Sequence, residues 1–203
     1  MSLEELAAIS EHSIGTPVAP KKFEIDSFTS GMVIISKGTV DMHYCKIEKC
    51  SIAAGPGCAV SLFVSGCEHR CKGCFQPETW NFNYGKEFTE QTVDLLLDLA
   101  RPKYISHLAI FGGEPLNPRN RVEVLKLTRK FKEVYPDKTV WLWTGYLLEE
   151  VFEDLIDSGI DVVVDGPFVE ELKDLRLKYR GSSNQRAISL KETIRTGDII
   201  LYE

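Results

Sequence analysis

Apolar positions along the chain follow two alternating periods. From about Met42 onward, short apolar runs of strand length are separated by stretches in which apolar residues recur every three or four positions. Ala59–Ser65, His107–Phe111, Thr139–Trp143 and Asp161–Val164 read as four strands. Val93, Leu96, Leu97 and Ala100 form a helical stripe after Thr89, a residue able to cap it. Val124, Leu127, Phe131 and Val134 form a second stripe, reaching to about Tyr135, behind the cap and first-turn pair Asn117-Pro118. Val151, Phe152, Leu155 and Ile156 mark a third helix over Leu147–Asp157. Strands separated by amphipathic helices predict an α/β fold with a parallel sheet and right-handed crossovers. Residues 1–41 break this rhythm, with Gly15, Pro17, Pro20, Gly31 and Gly38 around one short apolar stretch, Met32–Ile35. They are expected to form an irregular extension, partly disordered, with room for one strand. Residues 42–203 are expected to form the domain.

Composition narrows the class of protein. A chain of 203 residues suits one domain with an appendage. The formal net charge of −6 disfavours a nucleic-acid partner, which selects a basic face. The first residues, Met1-Ser2-Leu3-Glu4-Glu5-Leu6, are acidic and lack the apolar segment of a secretory signal. No apolar run approaches the ~20 residues that span a bilayer. A cytoplasmic protein with no membrane association is the expectation, and its six cysteines are then thiols or metal ligands rather than disulfides.

The strand ends carry the candidate chemistry. In parallel α/β sheets the ligand site lies at the carboxyl ends of the strands. Here those ends read Ser65-Gly66-Cys67, Gly112-Gly113-Glu114-Pro115, Thr144-Gly145-Tyr146 and Asp165-Gly166-Pro167, each with a glycine that lets backbone approach a ligand. The first runs into Cys67, Cys71 and Cys74, spaced C-x3-C-x2-C, with no fourth cysteine following within reach. Four thiolates would close a zinc site or fully ligate a four-iron cluster. Three can hold three irons and leave the fourth open to a ligand. The competing reading is a structural zinc site completed by His69, Cys58 or another residue. Plainer readings exist elsewhere: a tight turn at Glu114-Pro115, a helix cap at Thr144, a turn at Asp165, a core role for Phe75, and a solvated loop at Arg180–Gln185. Trp141 and Trp143 alternate with Leu142 and are expected to pack on one sheet face. Cys45, Cys50 and Cys58 are expected to be free thiols, and His69 an exposed loop residue.

The C-x3-C-x2-C run after the first strand of a βα array resembles the radical S-adenosylmethionine superfamily. Within it, the chain resembles the branch that activates anaerobic ribonucleotide reductases. The residues that carry this are Gly55-Pro56-Gly57, Leu62–Cys67, Cys74-Phe75, Thr79-Trp80, Gly112–Leu116, Trp141–Tyr146, Val164–Phe168 and Arg180–Gln185, collinear over roughly 42–186. The chain departs from the branch in lacking an Arg soon after the Gly-Pro-Gly turn, where it has Cys58-Ala59.

The resemblance implies a partial (β/α) barrel and a 4Fe–4S cluster on Cys67, Cys71 and Cys74. The open iron would chelate the amino and carboxylate groups of S-adenosylmethionine. Reduction by a flavodoxin or ferredoxin-type donor would then cleave the sulfonium to methionine and a 5′-deoxyadenosyl radical. That radical would generate a glycyl radical on the large subunit of the anaerobic reductase, which also covers the barrel's open side. By the same resemblance, Gly112, Gly113 and Glu114 meet the methionine amino group, and Gly73, Cys74 and Phe75 lie along the adenine. Thr144 would contact the ribose or carboxylate and Asp165 the ribose hydroxyls, and Arg180–Gln185 lines the cofactor or docks the reductase. The alternatives are an activase for a formate-lyase-type enzyme and a non-catalytic zinc-binding module.

Overall fold

A computed structural model describes residues 42–203; the expected extension over residues 1–41, with its possible strand, lies outside the described residues. The chain runs β1 (His43–Ser51), β2 (Cys58–Val64), β3 (Lys86–Glu87), α1 (Glu90–Ala100), β4 (Ile105–Gly112), α2 (Pro118–Val134), β5 (Thr139–Trp143), α3 (Leu148–Leu155), β6 (Val162–Asp165), β7 (Arg186–Ser189) and α4 (Leu190–Thr196). Seven strands form one sheet in the order β3-β1-β2-β4-β5-β6-β7. The centre, β2-β4-β5-β6, is parallel and in chain order. These are the four strands expected from the sequence, each within two residues of its predicted ends.

The edges are antiparallel: β1 against β2, β3 against β1, and β7 against β6. The sequence reading did not assign these strands. β1 mixes Lys46, Glu48 and Lys49 with its apolar residues, as an edge strand does, and β7 has only four residues. The architecture is thus a mixed α/β sheet with a parallel heart.

All four helices pack on one face of this sheet. Val60, Leu62 and Val64 of β2, Leu108 and Ile110 of β4, and Val140 and Leu142 of β5 meet Val93 and Leu96 of α1, Val124 and Phe131 of α2, and Val151 and Leu155 of α3 in one core. The other face carries Trp141 and Trp143, stacked with ring centroids 5.8 Å apart, with Phe111 edge-on to Trp143. This is the shared face expected from their alternation with Leu142.

The caps follow the sequence. Asn117 accepts from the Arg119 amide at 3.1 Å, with Pro118 opening α2. The Thr89 amide donates to Thr92 Oγ1 at 3.2 Å at the start of α1.

At the end of the sheet away from the cysteine loop, Cys50 and Cys58 form a disulfide across β1 and β2, Cα–Cα 5.4 Å. This corrects the expectation that both are free. Their pairing follows from the hairpin register, which sets Ser51 opposite Ala59 and is not visible in the spacing alone. Cys45 is free. Beside that hairpin, buried His107 donates Nε2–H to the Ala54 carbonyl at 2.5 Å and holds the 52–57 turn. No helix among the described residues is long and apolar enough to cross a membrane.

Candidate functional site

The site begins where β2 ends. Gly66 turns the chain with φ +93°, and its amide donates to the Thr79 carbonyl at 2.7 Å. The next strand end is bonded to the same turn. The Gly113 amide donates to Val64 O at 2.7 Å and the Glu114 amide to Gly66 O at 2.8 Å. Fully buried Asn120 of α2 completes this junction, its Nδ2 donating to Ser65 O and Glu114 O, each at 2.9 Å. Asn120 was not singled out from the sequence. Its signal was there, since it falls in helical phase with Val124, Leu127 and Phe131, where a polar side chain is buried and needs hydrogen-bond partners; its Nδ2 finds them, while its Oδ1 is buried without one.

Glu114 is the hub of the rim. It is buried, and its Oε1 accepts from the Leu116 amide at 2.9 Å and Thr144 Oγ1 at 2.7 Å. Its Oε2 accepts from the Gly145 amide at 2.7 Å and lies 3.0 Å from His69 Nε2. Thr144 is therefore bonded to Glu114 and accepts from the Tyr146 amide at 3.2 Å; it caps no helix, because α3 starts behind Leu147. The expectation for His69 is likewise corrected: its side chain is 24% exposed and sits against Glu114. The hydrogen bond to Glu114 raises the imidazole pKa above its ordinary value.

Between these anchors runs the cysteine loop. Cys67, Cys71 and Cys74 are free and partly exposed, with the Cys74 amide donating to Cys71 O at 3.2 Å. Burial pushes the Cys67 thiol up, a shift that binding to a cation would reverse. Three free thiols on one bent loop are a donor set that fits an iron–sulfur cluster. Among the described residues no three His, Cys, Asp or Glu side chains, the loop thiols included, are already gathered around one point, and His69, the nearest candidate for a fourth ligand, is bonded to Glu114. A cleft of about 630 Å³ opens beside Cys67, lined in part by Glu68, Arg70, Trp80, Phe82 and Arg119. Phe75, directly after the last cysteine, is 94% exposed, so it is no core residue. Gly73 faces Glu170, and Lys72 pairs with Glu170 and Glu171 at 3.2 and 2.9 Å, so the segment after β6 lies alongside the loop.

The fourth strand end is built differently. Asp165 is buried, its oxygens taken by Arg186 and by the Leu148 amide at 2.8 Å, which places it under the N-terminus of α3. Arg186 also reaches Glu149 at 2.8 Å, and these two carboxylates push its pKa further up. Arg180–Gln185 folds back on itself. Gln185 Oε1 accepts from the Gly181 and Ser182 amides at 2.9 and 3.1 Å, its Nε2 donates to Gly166 O at 3.0 Å, and Asn184 donates to Pro167 O at 2.8 Å. The segment is thus a bonded brace for the Asp165-Gly166-Pro167 turn rather than a solvated loop. The rim joins Cys67, His69, Gly113, Glu114, Thr144 and Gly145 directly; Asp165 stands beneath it.

A family profile described as a 4Fe-4S single cluster domain matches residues 53–188. Curated relatives named "Anaerobic ribonucleoside-triphosphate reductase-activating protein" are similar over most of their length. The one from Enterobacteria phage T4 is 42% identical over 145 residues, covering 71% of this chain and 92% of the relative. Those from Vibrio cholerae and Escherichia coli K12 are 39% and 40% identical over 148 residues, each covering 71% of this chain and 96% of the relative.

Proposed function

The chain belongs to the family of anaerobic ribonucleoside-triphosphate reductase-activating proteins, and from that premise we propose that it is a cytoplasmic radical S-adenosylmethionine activase whose target is the large subunit of the anaerobic reductase. Cys67, Cys71 and Cys74 would hold the 4Fe–4S cluster, three thiolates for a four-iron group. When bound, the cluster and S-adenosylmethionine supply a one-electron reductive cleavage that yields a 5′-deoxyadenosyl radical, and with it a glycyl radical on the partner. A flavodoxin or ferredoxin-type protein is the electron donor.

The chain's own residues prepare that site. Gly112 and Gly113 bring backbone carbonyls to the rim for the methionine amino group, while Glu114, buried with each carboxylate oxygen engaged by two partners, braces the turn that carries them. Thr144 and the Gly145 amide hold that carboxylate in place. Gly73, Cys74 and Phe75 present backbone and an exposed ring for the adenine. Asp165, committed to Arg186, supports the ribose side of the rim from below. The sheet, with helices on one face only, forms the wall of a partial barrel whose open side the reductase covers, keeping water from the radical.

The observation that carries this reading is the direct bonding of the cysteine-loop turn to the Gly112–Glu114 turn, at Gly66 O and through Asn120. The test is anaerobic reconstitution with iron and sulfide, followed by reductant and S-adenosylmethionine. The expected outcome is 5′-deoxyadenosine, and a glycyl EPR doublet once the reductase subunit is added. Cys71→Ala should abolish both; retained cleavage would refute the cluster assignment.

A further inference from the structure

His69 lies inside the cysteine loop, between Cys67 and Cys71, yet its side chain leaves the loop for the strand rim. Its Nε2 is 3.0 Å from Glu114 Oε2. Its ring meets Tyr146 edge to face, centroids 4.7 Å apart. Gly145 closes the slot. Its φ is not among the positive values, so backbone conformation does not demand a glycine there. Space does: a Cβ at 145 would stand 2.6 Å from His69 Cδ2 and 2.7 Å from Nε2. Residues from the ends of β4 and β5 thus form a fitted receptacle for one side chain of the loop that follows β2.

The loop's other side-chain ties are weaker anchors. Lys72 reaches Glu170 and Glu171 on the open surface, and such exposed pairs fix geometry poorly. Glu68 accepts from Asn117 Nδ2 at 2.9 Å, across a partly buried contact. Only the His69 bond ends on a buried carboxylate that is itself held by three further donors, the Leu116 and Gly145 amides and the Thr144 hydroxyl. A bond to such a preorganised partner transmits position.

We propose that His69 is a positioning residue: by donating to Glu114 within the Gly145–Tyr146 slot it sets the cysteine loop against the Gly112–Glu114 rim, and so fixes where S-adenosylmethionine meets the open iron. The inference rests on the cluster assignment made above. It needs only an N–H at Nε2, which the imidazole presents in either charge state.

The test uses the full chain, reconstituted anaerobically, as wild type, His69→Ala and His69→Gln. The Gln amide can place an N–H near the Nε2 position; Ala cannot. His69→Ala should keep its iron but bind S-adenosylmethionine about tenfold more weakly, the size expected from losing one hydrogen bond to a charged group. The change that S-adenosylmethionine produces in the EPR spectrum of the reduced cluster should be diminished in His69→Ala and recovered in His69→Gln. Binding of His69→Ala within about twofold of wild type, with the same EPR change, would overturn the proposal. So would a His69→Gln variant no better than His69→Ala. If His69→Ala loads no iron, His69→Gln decides: full loading supports the role, and failure of both overturns it, since the ring itself would then be required.

A second arm reads the slot without the cluster. Gly145→Ala should lower the Tm of the full chain, and His69→Ala in the same chain should recover the loss by removing the clash. Additive losses would refute the fit. Wild-type protein that takes up no iron would sink the cluster assignment while leaving this arm to judge His69.

Discussion

Asn120 shows how one side chain can hold a site without touching a ligand. Its amide nitrogen binds the carbonyls of Ser65 and Glu114, one from each of the two turns that meet at the rim. Asn120→Ala takes this donor from the Ser65 carbonyl and leaves the Glu114 carbonyl with the Asn117 amide at 3.2 Å alone, at a cost of about 1–3 kcal/mol. Asn120→Asp should cost more than Ala, because it sets a carboxylate against carbonyl oxygens. Chemical denaturation of the three proteins checks the order, and Asp milder than Ala would contradict the assigned contacts. His107 allows a test in pH. Burial pushes its pKa below the ordinary value, so the unfolded chain takes up the proton first as pH falls. Its contribution to stability is therefore present above about pH 6.5 and is lost below it, by at most ~1.4 kcal/mol per pH unit. His69 shifts in the opposite direction, so the measurement is the difference in unfolding free energy between wild type and His107→Gln across pH 5–8. A difference independent of pH would count against the buried, neutral imidazole. The cysteine triplet and Glu114 were legible because thiol spacing and a Gly-Gly-Glu strand end are patterns in one dimension. The partners of Glu114 were not: His69, Thr144 and Gly145 reach it from 30 to 45 residues away, and only the sheet register sets them there.

At the scale of elements, legibility followed burial. β2, β4, β5 and β6 lie in the sheet interior as short apolar runs, and α1 and α2 carry both stripe and cap, so each was visible in the sequence. β7 was hidden because four residues carry no period, and what holds it is partly ionic. Arg186, at its start, joins Asp165 of β6 to Glu149 of α3, while the Asp165 carboxylate also receives the Leu148 amide. One guanidinium therefore links strand, strand and helix. Removing it strands a buried carboxylate, and Arg186→Met should cost about 3 kcal/mol. Adding Asp165→Asn should restore most of the loss, because Asn can still accept from the helix terminus while carrying no charge. Denaturation midpoints of the single and double variants decide this. If the double variant is as unstable as Arg186→Met, the buried charge is not the cause.

At the scale of the whole molecule, the described residues form one connected assembly. The helix-covered core, the seven-stranded sheet and every rim residue fall within 42–203, and the profile match at 53–188 lies inside that span. The start of this region is itself tied in. Met42 is buried, its carbonyl accepts from the Phe88 amide at 2.8 Å, and β1 directly behind it pairs with both β2 and β3. Chain beginning at Met42 should therefore load the same iron, keep its Tm, and produce 5′-deoxyadenosine at a rate close to that of the full chain. Removing Met42 and β1 as well should be far more damaging, since it unpairs the length of β2 that delivers Cys67 to the rim. The two truncations, compared by iron content, thermal unfolding and deoxyadenosine yield, separate an appended segment from an integral one. If the first truncation already loses its iron, residues 1–41 belong to the fold, and the domain boundary at Met42 is wrong.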